Sequence, residues 1–215
     1  MLYVACSGFP VPVSRYWSLF PAVEISDTRL AIPGAGSVRR WLRESPDGFA
    51  FTALAPKEVG ESGFKKTKDN QARIEAFAAF AEKLGARAVV FQAPEDFKAS
   101  KANKAAIKAF LGWLPKLPRI VLDLPAWKPK DVAAAAGNEP VVVAYDPLND
   151  ASPPAADFVY LRLPGPAGHR SRYDEESVEA IVAHCRSLDA EEGFCVFRNI
   201  DMQANASAVL KELGG

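Results

Sequence analysis

The segment NQARIEAFAAFAEKLGARAVVF, residues 70–91, holds one complete structural beat. Ile74, Phe77, Ala81 and Leu84 recur at three- and four-residue spacing, so they share one face of a helix. Gly85 stands where a helix ends on left-handed backbone, which glycine adopts without steric cost. The apolar run 88–91 follows at once, and it is too short for a buried helix and reads as a strand.

Working outward, the same beat recurs along the chain. Short apolar runs occupy residues 2–6, 23–25, 49–53, 88–91, 120–122, 141–145, 158–163 and 194–197. Most are followed by a helical pattern: a short helix from Ser14 carrying Tyr16, Trp17 and Phe20; 37–44 with Val38, Trp41 and Leu42 inward and Arg39, Arg40 and Arg43 outward; 101–114 with Ile107, Phe110, Leu111 and Leu114 inward; 129–136; 174–188; and 204–213. Eight strands alternating with helices predict an α/β fold, a TIM-like (β/α)8 barrel spanning residues 1–215 as one domain. Two beats depart from the pattern. Residues 55–70, rich in lysine and containing Pro56, Gly60 and Gly63, read as a long loop, and residues 147–157, with three prolines and no helical period, read as a sixth βα unit without its helix.

Composition removes several function classes. Lys and Arg number 26 and so do Asp and Glu, so no global field draws the chain to nucleic acid or anionic membrane. Cys6, Cys185 and Cys195 lack CxxC spacing and suit a reduced, cytoplasmic setting. The start has no signal-peptide pattern, and no stretch approaches the roughly 20 apolar residues of a membrane helix. His169 and His184 are the only histidines, which speaks against a multi-histidine metal site, and no cofactor is expected; His184 reads as a surface residue of its helix. The phosphate-cradling GxxxxGK, the dinucleotide GxGxxG and the GxSxG elbow are all absent.

In a parallel barrel, chemistry collects just after the strand C-termini. The residues there are Ser7, Glu24, Ser26, Gln92, Asp123, Asp146, Arg162 and Asn199. Glu24 and Asp123 are the candidate acid and base, because neighbouring carboxylates in a partly buried mouth are driven to different protonation states. The alternative for Glu24 is a structural ion pair with an arginine such as Arg162, and for Asp146 a turn before Pro147. Gln92 and Asn199 are suited to orienting ligand hydroxyls, as is Ser7. Arg162, Arg172 or Arg198 would hold negative charge. Cys6 reads as a buried core thiol. Phe9, Tyr16, Trp17, Trp127 and Tyr173 fall near loops, where they either stack on a ligand or cover the core. The expected partner is a small anionic or polyhydroxyl molecule. The basic sets Lys57, Lys65, Lys66 and Lys68 and His169, Arg170 and Arg172 leave single-stranded nucleic acid as an alternative.

Several motifs resemble the YecE-like family, domain of unknown function family seventy-two. They are Tyr3 to Gly8, followed by Phe9 where that family usually has tryptophan; Val23, Glu24, Ile25 and Thr28; Val38 to Trp41 with Pro46 to Phe49, Phe51 and Ala55-Pro56; Leu84, Gly85, Phe91, Gln92, Pro94 and Phe97; Tyr160, Arg162, Gly165, Arg172 and Tyr173; and Phe197, Asn199, Asn205 and Ala206. The resemblance implies a TIM-like barrel and no established reaction. It also marks departures at the expected mouth: Leu54 replaces a common lysine, Pro164 a usual histidine and Arg198 one of two asparagines. Asp123 takes the place of the family's strand-five acid only in a shifted alignment. Three functional readings follow: an enzyme that hydrolyses or isomerises the ligand, a non-catalytic binding barrel, or a nucleic-acid-binding protein.

Overall fold

The computed structural model describes residues 1–214. Its strands are β1 (Leu2–Ser7), β2 (Ala22–Ile25), β3 (Ala50–Leu54), β4 (Ala88–Gln92), β5 (Arg119–Asp123), β6 (Val141–Tyr145), β7 (Phe158–Leu163) and β8 (Glu192–Phe197). They are hydrogen-bonded in chain order, and β8 pairs in parallel with β1 to close the barrel. The helices are α1 (Val13–Tyr16), α2 (Ala35–Glu44), α3 (Lys57–Glu61), α4 (Lys68–Leu84), α5 (Lys101–Leu111), α6 (Pro129–Ala136), α7 (Glu175–Ser187) and α8 (Met202–Leu213). The chain divides into two compact units: Met1–Glu24, Glu44–Ala50 and the chain from Ala144 onward form one, and Ile25–Arg43 with Phe51–Val143 form the other.

Local chemistry explains the element ends. Thr67 caps α4 by accepting from Asn70 N, and Gly85 closes it at φ 66°. Ser100 caps α5 and Asp174 caps α7, where Glu175 and Glu176 complement the helix dipole. Each such cap is worth about 1 kcal/mol. No helix separates β6 from β7. There Asp146 builds a turn instead: Oδ1 accepts from Leu148 N, Oδ2 accepts from Asn149 Nδ2, and Asp146 N donates to Asp150 Oδ2.

In the first unit Tyr16 is fully buried and knits β1 to β2, its hydroxyl accepting from Cys6 N at 2.9 Å and donating to Ala22 O at 2.8 Å. Tyr3 and Tyr160 both stack on Phe194. In the second unit Phe64 packs on Phe97 and Phe110, and Phe97 stacks on Trp127, whose Nε1 donates to Phe97 O. These rings offset the strain of Phe64, a non-glycine residue at φ 61°.

Three expectations are corrected. Residues 55–70 are not one loop but hold α3 and the start of α4. Gly60, read as part of that loop, sits inside α3, where a Cβ would lie 1.9 Å from Gln92 O, so its lack of a side chain serves close packing. Leu42 is 45% exposed: α2 packs through the narrower stripe of Val38 and Trp41. His184 is half-buried, 2.9 Å from the Tyr145 hydroxyl, and burial lowers its pKa and favours the neutral ring.

Candidate functional site

Three polar clusters contain most of the residues singled out from the sequence, Asp146 standing apart in its turn. The first lies wholly in the first unit. Register pairs Ser7 with Glu24, and β7 alternates so that Tyr160 and Arg162, two residues apart, share a face. Glu24 is 0% exposed and Arg162 4%. Glu24 Oε1 accepts from Ser7 Oγ at 2.6 Å and from Arg162 Nη2 at 2.7 Å, and Oε2 accepts from Tyr160 OH at 3.0 Å. The charge is thus compensated on one oxygen and hydrogen-bonded on both, which lets an ionised carboxylate remain in a water-poor interior. Ser7 is half-buried, the member least enclosed.

The second cluster belongs to the second unit. Gln92 and Asp123 are register partners at the ends of β4 and β5, and Gln92 Nε2 donates to Asp123 Oδ2 at 2.9 Å. That bond orients the amide and leaves Oε1 as the acceptor. Beside it a cavity of about 50 Å³ is lined by Arg29, Lys57, Glu61 and Gln92 among others. A wider groove of about 350 Å³, lined by Leu30, Ile32, Pro56 and Ala76 among others, includes none of the residues predicted for the site.

The third cluster joins the connections after β7 and β8 in the first unit. Asn199, 0% exposed, donates through Nδ2 to Asn205 Oδ1 at 2.8 Å and to Ser171 O at 3.2 Å. Asn205 Nδ2 in turn donates to Tyr173 O, so both amides are oriented. The Asn199 Oδ1 atom is buried and takes no hydrogen bond from a described residue. Tyr173 is buried, with its hydroxyl accepting from Gly165 N, and burial raises its pKa. Arg172 extends outward and pairs with Asp201 Oδ2 at 2.6 Å, while the Arg198 carbonyl accepts from His169.

The structure sorts the residues singled out from the sequence into separate clusters. Ser171 and Arg29 are additions the sequence did not single out, and Tyr160 was named there only among the family motifs. Tyr160 had a signal in its two-residue spacing from Arg162; Arg29 had none, being an ordinary arginine in a 3-10 turn (Asp27–Arg29). Among the aromatics weighed as stacking residues, Tyr16, Trp17, Trp127 and Tyr173 are buried and cover the core. No group of three His, Cys, Asp or Glu side chains among the described residues is placed to hold a metal ion. No helix among them is long and apolar enough to cross a membrane.

The thiols are core groups. All three are buried; burial pushes Cys6 up to about 12, and a hydrogen bond with Cys185, together with burial, raises Cys195. Native protein at pH 8 is therefore expected to leave 5,5′-dithiobis(2-nitrobenzoate) unreduced over minutes and to release three equivalents of chromophore after denaturation. Rapid release of one equivalent from native protein would show an accessible thiol.

Comparison with known proteins agrees with this architecture. A DUF72 family protein from Enterococcus faecalis is 20% identical, with a TM-score of 0.78 over 100% of this chain and 98% of that one. Another from Thermotoga maritima is 21% identical, with a TM-score of 0.76 over 100% of each chain. A D-tagatose 3-epimerase-like protein shares the fold at 13% identity and a TM-score of 0.51, over 90% of this chain and 88% of that one. No curated protein matches the chain. The family described as "Protein of unknown function DUF72" matches residues 12–214, and the chain belongs to that family.

Proposed function

We propose that the chain binds a small polyhydroxyl compound at the strand ends and moves a proton on it through Ser7 and Glu24. The observation that carries this reading is the buried carboxylate whose least enclosed partner is a serine hydroxyl 2.6 Å away. Glu24 does not meet solvent, so it acts at one remove. Ser7 gives its only proton to Glu24 Oε1 and keeps its lone pairs for a ligand hydroxyl. A proton passed from that hydroxyl to Ser7 is matched by the Ser7 proton passing to Glu24, and the return path restores both. Arg162 and Tyr160 hold the carboxylate in place throughout. Isomerisation or hydrolysis of a sugar-like compound requires such a transfer, and the name of the epimerase-like neighbour points to the same ligand class.

A non-catalytic binding barrel is the second reading. It is favoured by the fact that the bonds around Glu24 are made to the protein itself. Thermal shift with a panel of sugars, sugar acids and polyols, followed by proton NMR of the hits in deuterated water, separates the two. The expected result is a saturable rise in Tm for at least one compound, with solvent deuterium incorporation or turnover lost in Ser7→Ala, which leaves the charge pair intact. Binding without turnover would select the non-catalytic barrel, and no Tm response to any compound would sink both readings.

A further inference from the structure

Of the three arginines expected to hold an anion, Arg162 is committed to Glu24 and Arg172 to Asp201. Two other cations line the 50 Å³ cavity of the second unit, where Arg29, Lys57, Glu61 and Gln92 meet against Ala55 and Pro94. Each comes from a connection that follows a strand end: Arg29 after β2, Lys57 after β3 and Gln92 at the end of β4. That is the end of a parallel barrel where ligands are bound.

The placement is enforced rather than casual. Thr28, fully buried, shares its hydroxyl proton between Ile25 O at 2.9 Å and Leu54 O at 2.5 Å, which pins the turn carrying Arg29 over the end of β3. Gly60 brings α3, and with it Lys57 and Glu61, into backbone contact with Gln92. Arg29 has no ion-pair partner among the described residues. Among the described residues Lys57 pairs with Glu61 alone, at 3.9 Å, a partly exposed i,i+4 contact that holds it weakly.

We infer that this cavity is a binding site for the carboxylate or phosphate group of a hydroxylated compound, with Arg29 and Lys57 on the oxyanion and Gln92 on a neighbouring hydroxyl. An oxyanion between the two cations gains charge-assisted hydrogen bonds that outweigh the long Lys57 to Glu61 contact. A cavity of about 50 Å³ takes about four water-sized atoms, the size of such a head group rather than of a whole sugar. The hydroxyl preference follows from Gln92, whose Nε2 gives one of its two N–H groups to Asp123 and whose Oε1 can only accept. Glu61 opposes the anion, so the pocket carries two positive charges against one negative at its lining. The cavity lies wholly in the second unit and neither Ser7 nor Glu24 lines it, so this site stands apart from the one in the proposed function.

Isothermal titration of the full chain with inorganic phosphate, glycerol phosphate and glycerate, at ionic strength matched with sodium chloride, tests it. Wild type is expected to bind saturably, glycerol phosphate more tightly than inorganic phosphate, and the glycerate arm tells carboxylate from phosphate preference. Arg29→Gln should weaken binding about tenfold and Lys57→Gln by a similar factor. Glu61→Gln should tighten it, a gain that a merely structural role would not produce. The titration reads binding alone, so a failed proton-transfer reading leaves this result standing. No saturable binding by wild type, or unchanged affinity in Arg29→Gln, would overturn the inference.

Discussion

Replacing Arg162 with methionine is expected to lower the unfolding free energy by about 3 to 5 kcal/mol. The cost does not come from losing an attraction alone. It comes from leaving Glu24, which is fully enclosed, as a buried charge with only the hydroxyls of Ser7 and Tyr160 to stabilise it. For a chain of this size the loss corresponds to a fall in Tm of roughly 10 °C. Urea denaturation of wild type, Arg162→Met, Glu24→Leu and the double variant provides the measurement. Because the double variant buries no unpaired charge, it should be more stable than either single variant. A double variant as unstable as the sum of the singles would mean that the two side chains act separately, and Arg162→Met within about 1 kcal/mol of wild type would remove the buried-pair account altogether.

Gly60→Ala is expected to destabilise the protein by about 3 kcal/mol, against the usual direction of a glycine-to-alanine change in a helix. Helix propensity alone favours alanine by about 0.5 to 1 kcal/mol. Here the new Cβ would lie 1.9 Å from Gln92 O and 3.0 Å from Gln92 C, both backbone atoms at the end of a barrel strand, which cannot rotate aside as a side chain can. The clash therefore dominates, and α3 must lift away from β4. Gly36→Ala supplies the internal contrast: Gly36 lies in α2, a Cβ there has nothing within 4 Å, and stability should rise slightly. Both are read from chemical denaturation midpoints at constant m-value. A Gly60→Ala variant as stable as Gly36→Ala would show that α3 is not seated against Gln92 as described.

The two effects share an origin. In each, a residue that looks ordinary in the chain is constrained by backbone or charge far away along it. Arg162 and Glu24 are 138 positions apart, and Gly60 answers to Gln92 on the next strand. Their importance depends on strand closure and register rather than on any local motif.

What the sequence by itself determined is the set of local facts. Ile74, Phe77, Ala81 and Leu84 specify the buried face of α4 because helical spacing is a property of neighbours in the chain. The eight short apolar runs specify the strands, and the prolines after β6 specify the missing helix, because proline cannot sustain helical hydrogen bonding. The family motifs agreed with that architecture. Only the tertiary structure decided which polar residues meet. Glu24 was legible as a candidate acid or ion pair, but its bonds to Ser7, Tyr160 and Arg162 exist because β1, β2 and β7 enter one compact unit in a particular register. Leu42 follows the helical period and yet is exposed, since the width of a buried stripe is set by what packs on it. Arg29 carried no signal at all until Thr28 and Gly60 fixed its surroundings. Periodicity is written between residues a few positions apart and survives in the chain alone, whereas a site is an agreement among residues distant in sequence, and only folding makes them neighbours.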